Sequence, residues 1–395
     1  MRIALVGIGG YGEVYLRLLD RTPGLWAQLA AVVDPVPHAS AFYARLVQEG
    51  VPIFDTVEAL YAHTPVDLTL IASPIPFHEE QVLAAFRHGS HVLCEKPITP
   101  RYAQALALQS AAAAARRKCG VGFQWPTMRA VQALKRDILD GKLGKPVLLK
   151  ALLPWPRDKA YYAQGGWKGR MRDAQGRWCM DAIATNAGAH YLHILFFLLG
   201  ETLRTARMPV QVEGTLYRAY PIETFDTCFL RGDFAGGGRF LFLASHACDS
   251  EGTPEGEYIF EHATVRVHAD TGMIDAQWHD GRCTVYGTTR DADDVGQKLV
   301  SMLQAIQEDS EPACDIETAL PHLAVCDACF ARMPIHTFPA ACLQEDAQHV
   351  AVRGLGEVMR RCFAQGALPE ELGVPWAQAG TRIPMADFLT TLQEG

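Results

Sequence analysis

Residues 1–13, MRIALVGIGGYGE, run a short apolar stretch straight into three spaced glycines and then into an amphipathic segment. Arg2–Val6 has the length and character of a buried strand, and Glu13–Asp20 the pattern of a helix. Between them lie Gly7, Ile8, Gly9, Gly10, Tyr11 and Gly12. In a Gly-x-Gly-x-x-Gly turn the first glycine permits the tight bend and the second lets backbone approach a pyrophosphate. The third allows helix and strand to pack closely. The helix start then offers free N–H groups and a partial positive charge.

Outward from this turn the alternation continues. Leu29–Val33, Leu68–Ile71 and His91–Cys94 read as strands, and Cys119–Phe123 as one more. Pro76–His88 and Pro100–Lys118 read as helices, the latter closing on Arg116, Arg117 and Lys118. Strand and helix alternating at this spacing predict an α/β domain with a doubly wound parallel sheet. Asp34 ends the second strand, about 20 residues beyond the glycines, where a carboxylate accepts hydrogen bonds from ribose hydroxyls and repels a 2′-phosphate. The expected cofactor is therefore NAD rather than NADP. Glu95-Lys96-Pro97 follows the strand His91–Cys94, at the sheet edge that faces the ligand crevice in such folds. A lysine there stands where an alcohol proton leaves as hydride departs. Burial beside a carboxylate and near a cationic ring would tune it for proton transfer, whereas taken alone the residue reads as a solvated turn lysine.

After Phe123 the character changes. Thr127–Asp140 reads as a helix, Pro146–Leu153 as a strand, and Pro154–Trp178 as a loop rich in Trp, Gly and Arg. An apolar helix is expected over Ala187–Leu199. From Gln211 to Gly287 strand-like segments dominate, predicting an antiparallel sheet. Helical patterns return at Asp294–Gln307 and Thr318–Arg332, and the tail from Ala340 reads as helix and then proline-punctuated loop. The expected organisation is a dinucleotide-binding domain at 1–123, an α+β substrate and oligomerisation domain at 124–339, and a helical tail at 340–395.

Composition excludes several classes of function. Hydrophobic residues make up 49% and charged residues 20%, with a net charge of −8 and no Lys/Arg-rich block, so nucleic acid is not an expected partner. The apolar run YLHILFFLLG is about half the length that spans a bilayer. The N-terminus lacks the pattern of a signal peptide. Eleven cysteines scattered singly in apolar surroundings read as reduced thiols, and a cytoplasmic location is expected. Cys326 and Cys329 have redox-motif spacing but lie in a helical stretch with no second pair. No metal site is expected.

The ordered set of Gly7, Gly9, Gly12, Asp34, Ser73-Pro74 with His78, and Glu95-Lys96-Pro97 resembles the glucose–fructose oxidoreductase, inositol dehydrogenase and rhizopine catabolism (Gfo/Idh/MocA) family. The resemblance implies an open, mostly antiparallel sheet after the dinucleotide fold, supplying the substrate pocket and a homodimer or homotetramer interface. It implies Lys96 as a catalytic residue, and Ser73, Pro74, Glu95 and Pro97 as shaping the nicotinamide site, the bond before Pro97 often being cis. Gln124 and Trp125 stand where relatives place an amide or aromatic near the nicotinamide. Many relatives carry Asp-x-x-x-His at the start of the apolar helix, and His190 matches the histidine while Asn186 replaces the aspartate. Asn can orient a hydroxyl or an imidazole N–H but cannot stabilise an imidazolium by charge. His193 falls one turn further on. Trp167-Lys168 resembles a Trp-Arg pair that lines the sugar pocket in relatives, with Arg170, Arg172 and Asp173 close by. An aromatic face flanked by cations suits a polyol or sugar acid. The implied activity is NAD-dependent oxidation of a secondary hydroxyl in a sugar, sugar derivative or cyclic polyol, with Lys96 and His190 handling the proton. Two other activities fit the same residues: a glycosidase working through transient oxidation and elimination, and a catalytically silent NAD-sensing regulator.

Overall fold

The apolar runs picked out above become the central strands of a six-stranded parallel sheet. A computed structural model describes residues 1–21, 27–250, 252–290 and 296–392. The chain divides into two compact units, Met1–Thr127 with Asp293–Ala319, and Met128–Ala292 with Leu320–Gly395.

In the first unit, β1 (Arg2–Val6), α1 (Gly12–Arg21), β2 (Gln28–Val33), α2 (Tyr43–Gln48), β3 (Ile53–Phe54), α3 (Val57–His63), β4 (Leu68–Ile71), α4 (His78–Arg87), β5 (His91–Cys94), α5 (Tyr102–Ala115) and β6 (Cys119–Val121) follow one another. The sheet order is β3-β2-β1-β4-β5-β6, so the chain reverses direction across the sheet between β1 and β4. Every described pairing in it is parallel. Strands covered on both faces must be apolar throughout, and β4 and residues 3–6 of β1 are buried without alternation. A helix from late in the sequence, Gln297–Gln307, adds Leu299, Met302 and Leu303 to the same core as Ile3, Leu5, Leu70 and Leu93. The sequence pattern gives that helix from Asp294, but residues 294–295 lie outside the described residues. α5 stops at Ala115, three residues before Lys118, because Arg116 turns left-handed at φ +53° and its N–H bonds back to Ala113.

The second unit contains α6 (Arg129–Leu139), β7 (Pro146–Pro154), α7 (Lys159–Ala163), α8 (Ala189–Phe197), β8 (Pro209–Arg218), β9 (Thr227–Phe234), β10 (Arg239–Ser245), β11 (Glu255–Phe260), β12 (Ala263–Val267), β13 (Met273–Trp278) and β14 (Cys283–Thr288). These strands form a large mixed, mostly antiparallel sheet in the order β14-β13-β12-β11-β7-β10-β9-β8, with Ile335–Thr337 beyond β8. Among the described residues its parallel pairings are β7 with β10 and Ile335–Thr337 with β8. β10 is buried on both faces over residues 240–245, whereas β11 and β12 alternate, leaving one face half-open. α7 interrupts the stretch expected to be loop, capped by the Asp158 side chain, which accepts from Tyr161 N.

The tail holds the expected helix, Leu355–Gln365, with a proline-containing stretch after it, but adds strands that the pattern does not give. Leu343–Glu345 and Val350–Val352 pair as a hairpin, and Thr381–Pro384 adds antiparallel to β8. Val350, Val352, Leu355 and Met359 pack under Leu152, Phe229 and Leu241 of the sheet. Three-residue strands carry too few side chains to show a period of two, so their pairing is decided by burial against the sheet. Among the described residues no helix is long and apolar enough to cross a membrane.

Candidate functional site

The glycine turn leaves β1 with Gly7 at φ +81° and Gly10 at φ +52°, conformations open to glycine. A β-carbon on Gly7 would lie 2.8 Å from Ser73 N, and one on Gly12 1.9 Å from Gly7 O. On Gly9 and Gly10 it would meet nothing within 4 Å. The turn is therefore packed tight against β4's exit and open on its outer side, a cradle that fits a pyrophosphate at the start of α1. Asp34, at the end of β2, accepts from Ile8 N at 3.0 Å and from Val36 N at 2.9 Å. Its two oxygens keep further acceptor capacity for hydroxyls.

The Glu95-Lys96-Pro97 turn leaves β5 on the same edge of the sheet, since β1, β4 and β5 run parallel. The Lys96–Pro97 peptide is cis. Glu95 is buried, and its Oε1 accepts from Tyr15 OH at 2.7 Å and from Lys298 Nζ. Burial alone would lower the Lys298 ammonium, but the Glu95 carboxylate prevails and holds it above the usual lysine range. Lys298 Nζ also lies 4.1 Å from the Tyr11 ring centroid, so one buried cation joins the glycine turn to the Glu95 turn. His78 is 1% exposed, and its two ring nitrogens sit 2.9 Å from Pro97 O and 2.8 Å from Ser73 O. It braces the Ser73-Pro74 turn against Lys96-Pro97 as a buried tie. Lys96 itself is half-buried, as is Gln124, whose carbonyl accepts from Thr127.

In the second unit Asn186 lies in the turn before α8, and His190 in the first turn of that helix. Asn186 Nδ2 donates to Asp181 Oδ1 at 2.9 Å and stands 3.4 Å from Tyr161 OH. Asp181 is 2% exposed and its Oδ2 accepts from Gly169 N at 2.7 Å. An ionised carboxylate only accepts, so the Asn186 amide is turned with its NH2 toward Asp181. The carboxylate absent from position 186 is thus present five residues earlier. His193 is fully buried and stacks on Phe197, a packing residue. Trp167 and Lys168 are half-buried, and Lys168 Nζ lies 4.0 Å from the Tyr161 ring centroid. Arg170 is exposed, Arg172 stacks on Trp178, and Asp173 pairs with Arg177. Three contributors escaped the sequence pattern. Lys298 is 203 residues from Glu95, with no local signal. Arg157, in the loop after β7, lies 4.3 Å from the Trp155 ring centroid and 5.4 Å from that of Tyr161, with no pattern to mark it. Asp181 was within reach, since a carboxylate near an unexpected Asn is the signal of a displaced charge.

Residues 1–123 match the Gfo/Idh/MocA family, described as an oxidoreductase family with an NAD-binding Rossmann fold. The inositol 2-dehydrogenase of Streptomyces avermitilis is 40% identical over 149 residues, 37% of this chain and 43% of that protein. That of Pseudomonas savastanoi pv. phaseolicola is 31% identical over 203 residues, 51% of this chain and 55% of that protein. The chain spans about half the length of the curated relatives it matches. Among solved structures, the WlbA dehydrogenase of Bordetella pertussis, in complex with NADH and UDP-GlcNAcA, superposes with a TM-score of 0.69 at 22% identity, covering 84% of this chain and 95% of that one. The aldose-aldose oxidoreductase of Caulobacter crescentus, complexed with glycerol, gives 0.68 at 18% identity, covering 84% and 96%. At such identities the likeness is one of fold. The glycine cradle, Asp34 and the Glu95-Lys96-Pro97 turn all lie inside residues 1–123, the segment that matches the Gfo/Idh/MocA oxidoreductase family with its NAD-binding Rossmann fold.

Proposed function

We propose that the chain is an NAD-dependent dehydrogenase that oxidises a secondary hydroxyl of a sugar, sugar derivative or cyclic polyol. The observation that carries it is the shared sheet edge of the first unit. There an open glycine cradle, Asp34 and Lys96 leave β1, β2 and β5 at their carboxyl ends. The cofactor, when bound, supplies the hydride acceptor. The backbone of Ile8 to Gly12 and the start of α1 would hold its pyrophosphate. Asp34 would accept from the ribose hydroxyls and exclude a 2′-phosphate, which favours NAD over NADP. Ser73, Pro74, Pro97 and Gln124 would shape the nicotinamide end, with His78 and the Glu95–Lys298 pair fixing the two turns.

Lys96 takes the hydroxyl proton at Nζ, aided by His190. Asn186 orients the hydroxyl or the imidazole, and Asp181 positions Asn186 while returning the negative charge that Asn lacks. Trp167 and Lys168 line the sugar side. The half-open face of β11 and β12 supports a homodimer or homotetramer contact through the sheet. The activity test is a panel of polyols and sugars mixed with NAD and protein, followed at the NADH absorbance band. NADP in place of NAD should give a markedly slower rate.

A further inference from the structure

The structure assigns a carboxylate-binding subsite to Arg157, Lys168 and Tyr161, and with it a substrate of the sugar-acid class, an aldonic or uronic acid; this rests on the dehydrogenase reading above.

Two cations converge on one ring. Arg157 Cζ lies 5.4 Å and Lys168 Nζ 4.0 Å from the Tyr161 centroid, and Arg157 also covers Trp155 at 4.3 Å. Their positions are built by the fold. Trp155 N and Arg157 N donate to Ser245 O and His246 O, extending the parallel pairing of β7 with β10. Lys168 is held by Gln164 Oε1 at 3.0 Å. Tyr161 OH reaches Asn186 Nδ2 at 3.4 Å, which ties the pair to the turn that carries Asn186 into α8.

The carboxylates near this ring are already engaged. Asp181 is the buried carboxylate of the group and is engaged by Asn186 and Gly169, while the exposed Asp158 caps α7. Among the described residues neither Arg157 nor Lys168 forms an ion pair with these carboxylates, so both cations stay open to the carboxylate of a ligand. Burial, with Arg157 adding to it, pulls Lys168 below the usual lysine range against the attraction of Asp181 and Asp158, so a closer anion would stabilise its ammonium. A second group points the same way. His246 is 2% exposed, its Nδ1 bonds Tyr162 OH at 2.8 Å, and its Nε2 has no hydrogen-bond partner among the described residues. Its ring lies 5.4 Å from that of Tyr161. Burial with Arg157 and Lys168 nearby holds it neutral, so Nε2 can carry the N–H that a ligand oxygen needs.

The test compares gluconate, glucuronate and galactonate with glucose, galactose and myo-inositol, using the full chain and NAD. Initial rates give kcat/KM for each, and thermal shifts report binding without turnover. The acids should exceed their neutral counterparts by roughly tenfold to a hundredfold. The double variant R157M/K168M should compress that ratio toward unity while NAD still binds. Equal kcat/KM for acids and neutral sugars, or sugar phosphates outranking the acids, would overturn the subsite while leaving the dehydrogenase standing. Acids that stabilise the wild type but not the double variant, with no NADH formed from any compound, would support the subsite and overturn the dehydrogenase.

Discussion

Gly12 has no room for a β-carbon, because the atom would fall 1.9 Å from the carbonyl oxygen of Gly7. Since that oxygen belongs to the backbone of the same turn, relief requires the cradle itself to open. Gly12→Ala should weaken NAD binding by about a hundredfold or more, measured by calorimetric titration. Undiminished affinity would remove the turn from the cofactor site. The second residue-scale prediction concerns the displaced charge. Asp181→Asn and Asn186→Asp should each lower turnover by roughly tenfold or more, the first by removing a carboxylate and the second by setting two face to face. The double variant D181N/N186D restores one carboxylate and one amide in exchanged positions, so it should recover most of the loss. Simple addition of the two losses would show that Asp181 is only a structural acceptor. Residue types and order made Gly7, Asp34, Lys96 and His190 legible in the sequence. The partner of Asn186 was marked in the sequence only by the unexpected amide itself, because a hydrogen bond across a turn leaves no periodic signature.

Elements with long buried faces were the legible ones. β4 and β5 coincide with their apolar runs, whose ends are marked by proline, glycine and the polar turns that follow. The helix Gln297–Gln307 shows the opposite case. Its amphipathic pattern gives its existence, but only tertiary packing tells that Lys298 enters the first unit's core beside Glu95. Removing one member of such a pair strands the other charge out of water. Lys298→Met should destabilise by about 3–5 kcal/mol in chemical denaturation, and the double variant K298M/E95Q should regain part of that loss. A loss confined to a few tenths of a kcal/mol would show that Glu95 is satisfied without Lys298.

For the whole molecule, two buried groups give opposing pH dependences. Burial, with Arg157 and Lys168 adding to it, pushes the His246 imidazole down from 6.5 to about 3. The unfolded chain therefore takes up a proton below pH 6.5 that the folded chain refuses, and stability falls on acidification at up to about 1.4 kcal/mol per pH unit. Burial pushes the Asp226 carboxyl up from 3.8 to about 6, against the hydrogen bonds it accepts from Tyr220 N, Ala219 N and Thr227 Oγ1. Its contribution is fully present below pH 3.8 and is lost as pH rises through 6. Across the window between these values the two slopes cancel. His246→Phe should expose the Asp226 slope, so that the variant gains stability relative to wild type as pH falls from 6 toward 4. Parallel denaturation profiles would show that His246 titrates normally in the folded chain.

On the proposed reading this molecule moves a hydride from a sugar-like alcohol to NAD, with Lys96 taking the proton. NADH formation from the polyol, sugar and sugar-acid panel, run side by side for wild type and Lys96→Ala with NAD affinity measured on both, decides whether it does. The wild type should form NADH from at least one compound, and K96A should form none while still binding NAD. Undiminished turnover in K96A would contradict that reading.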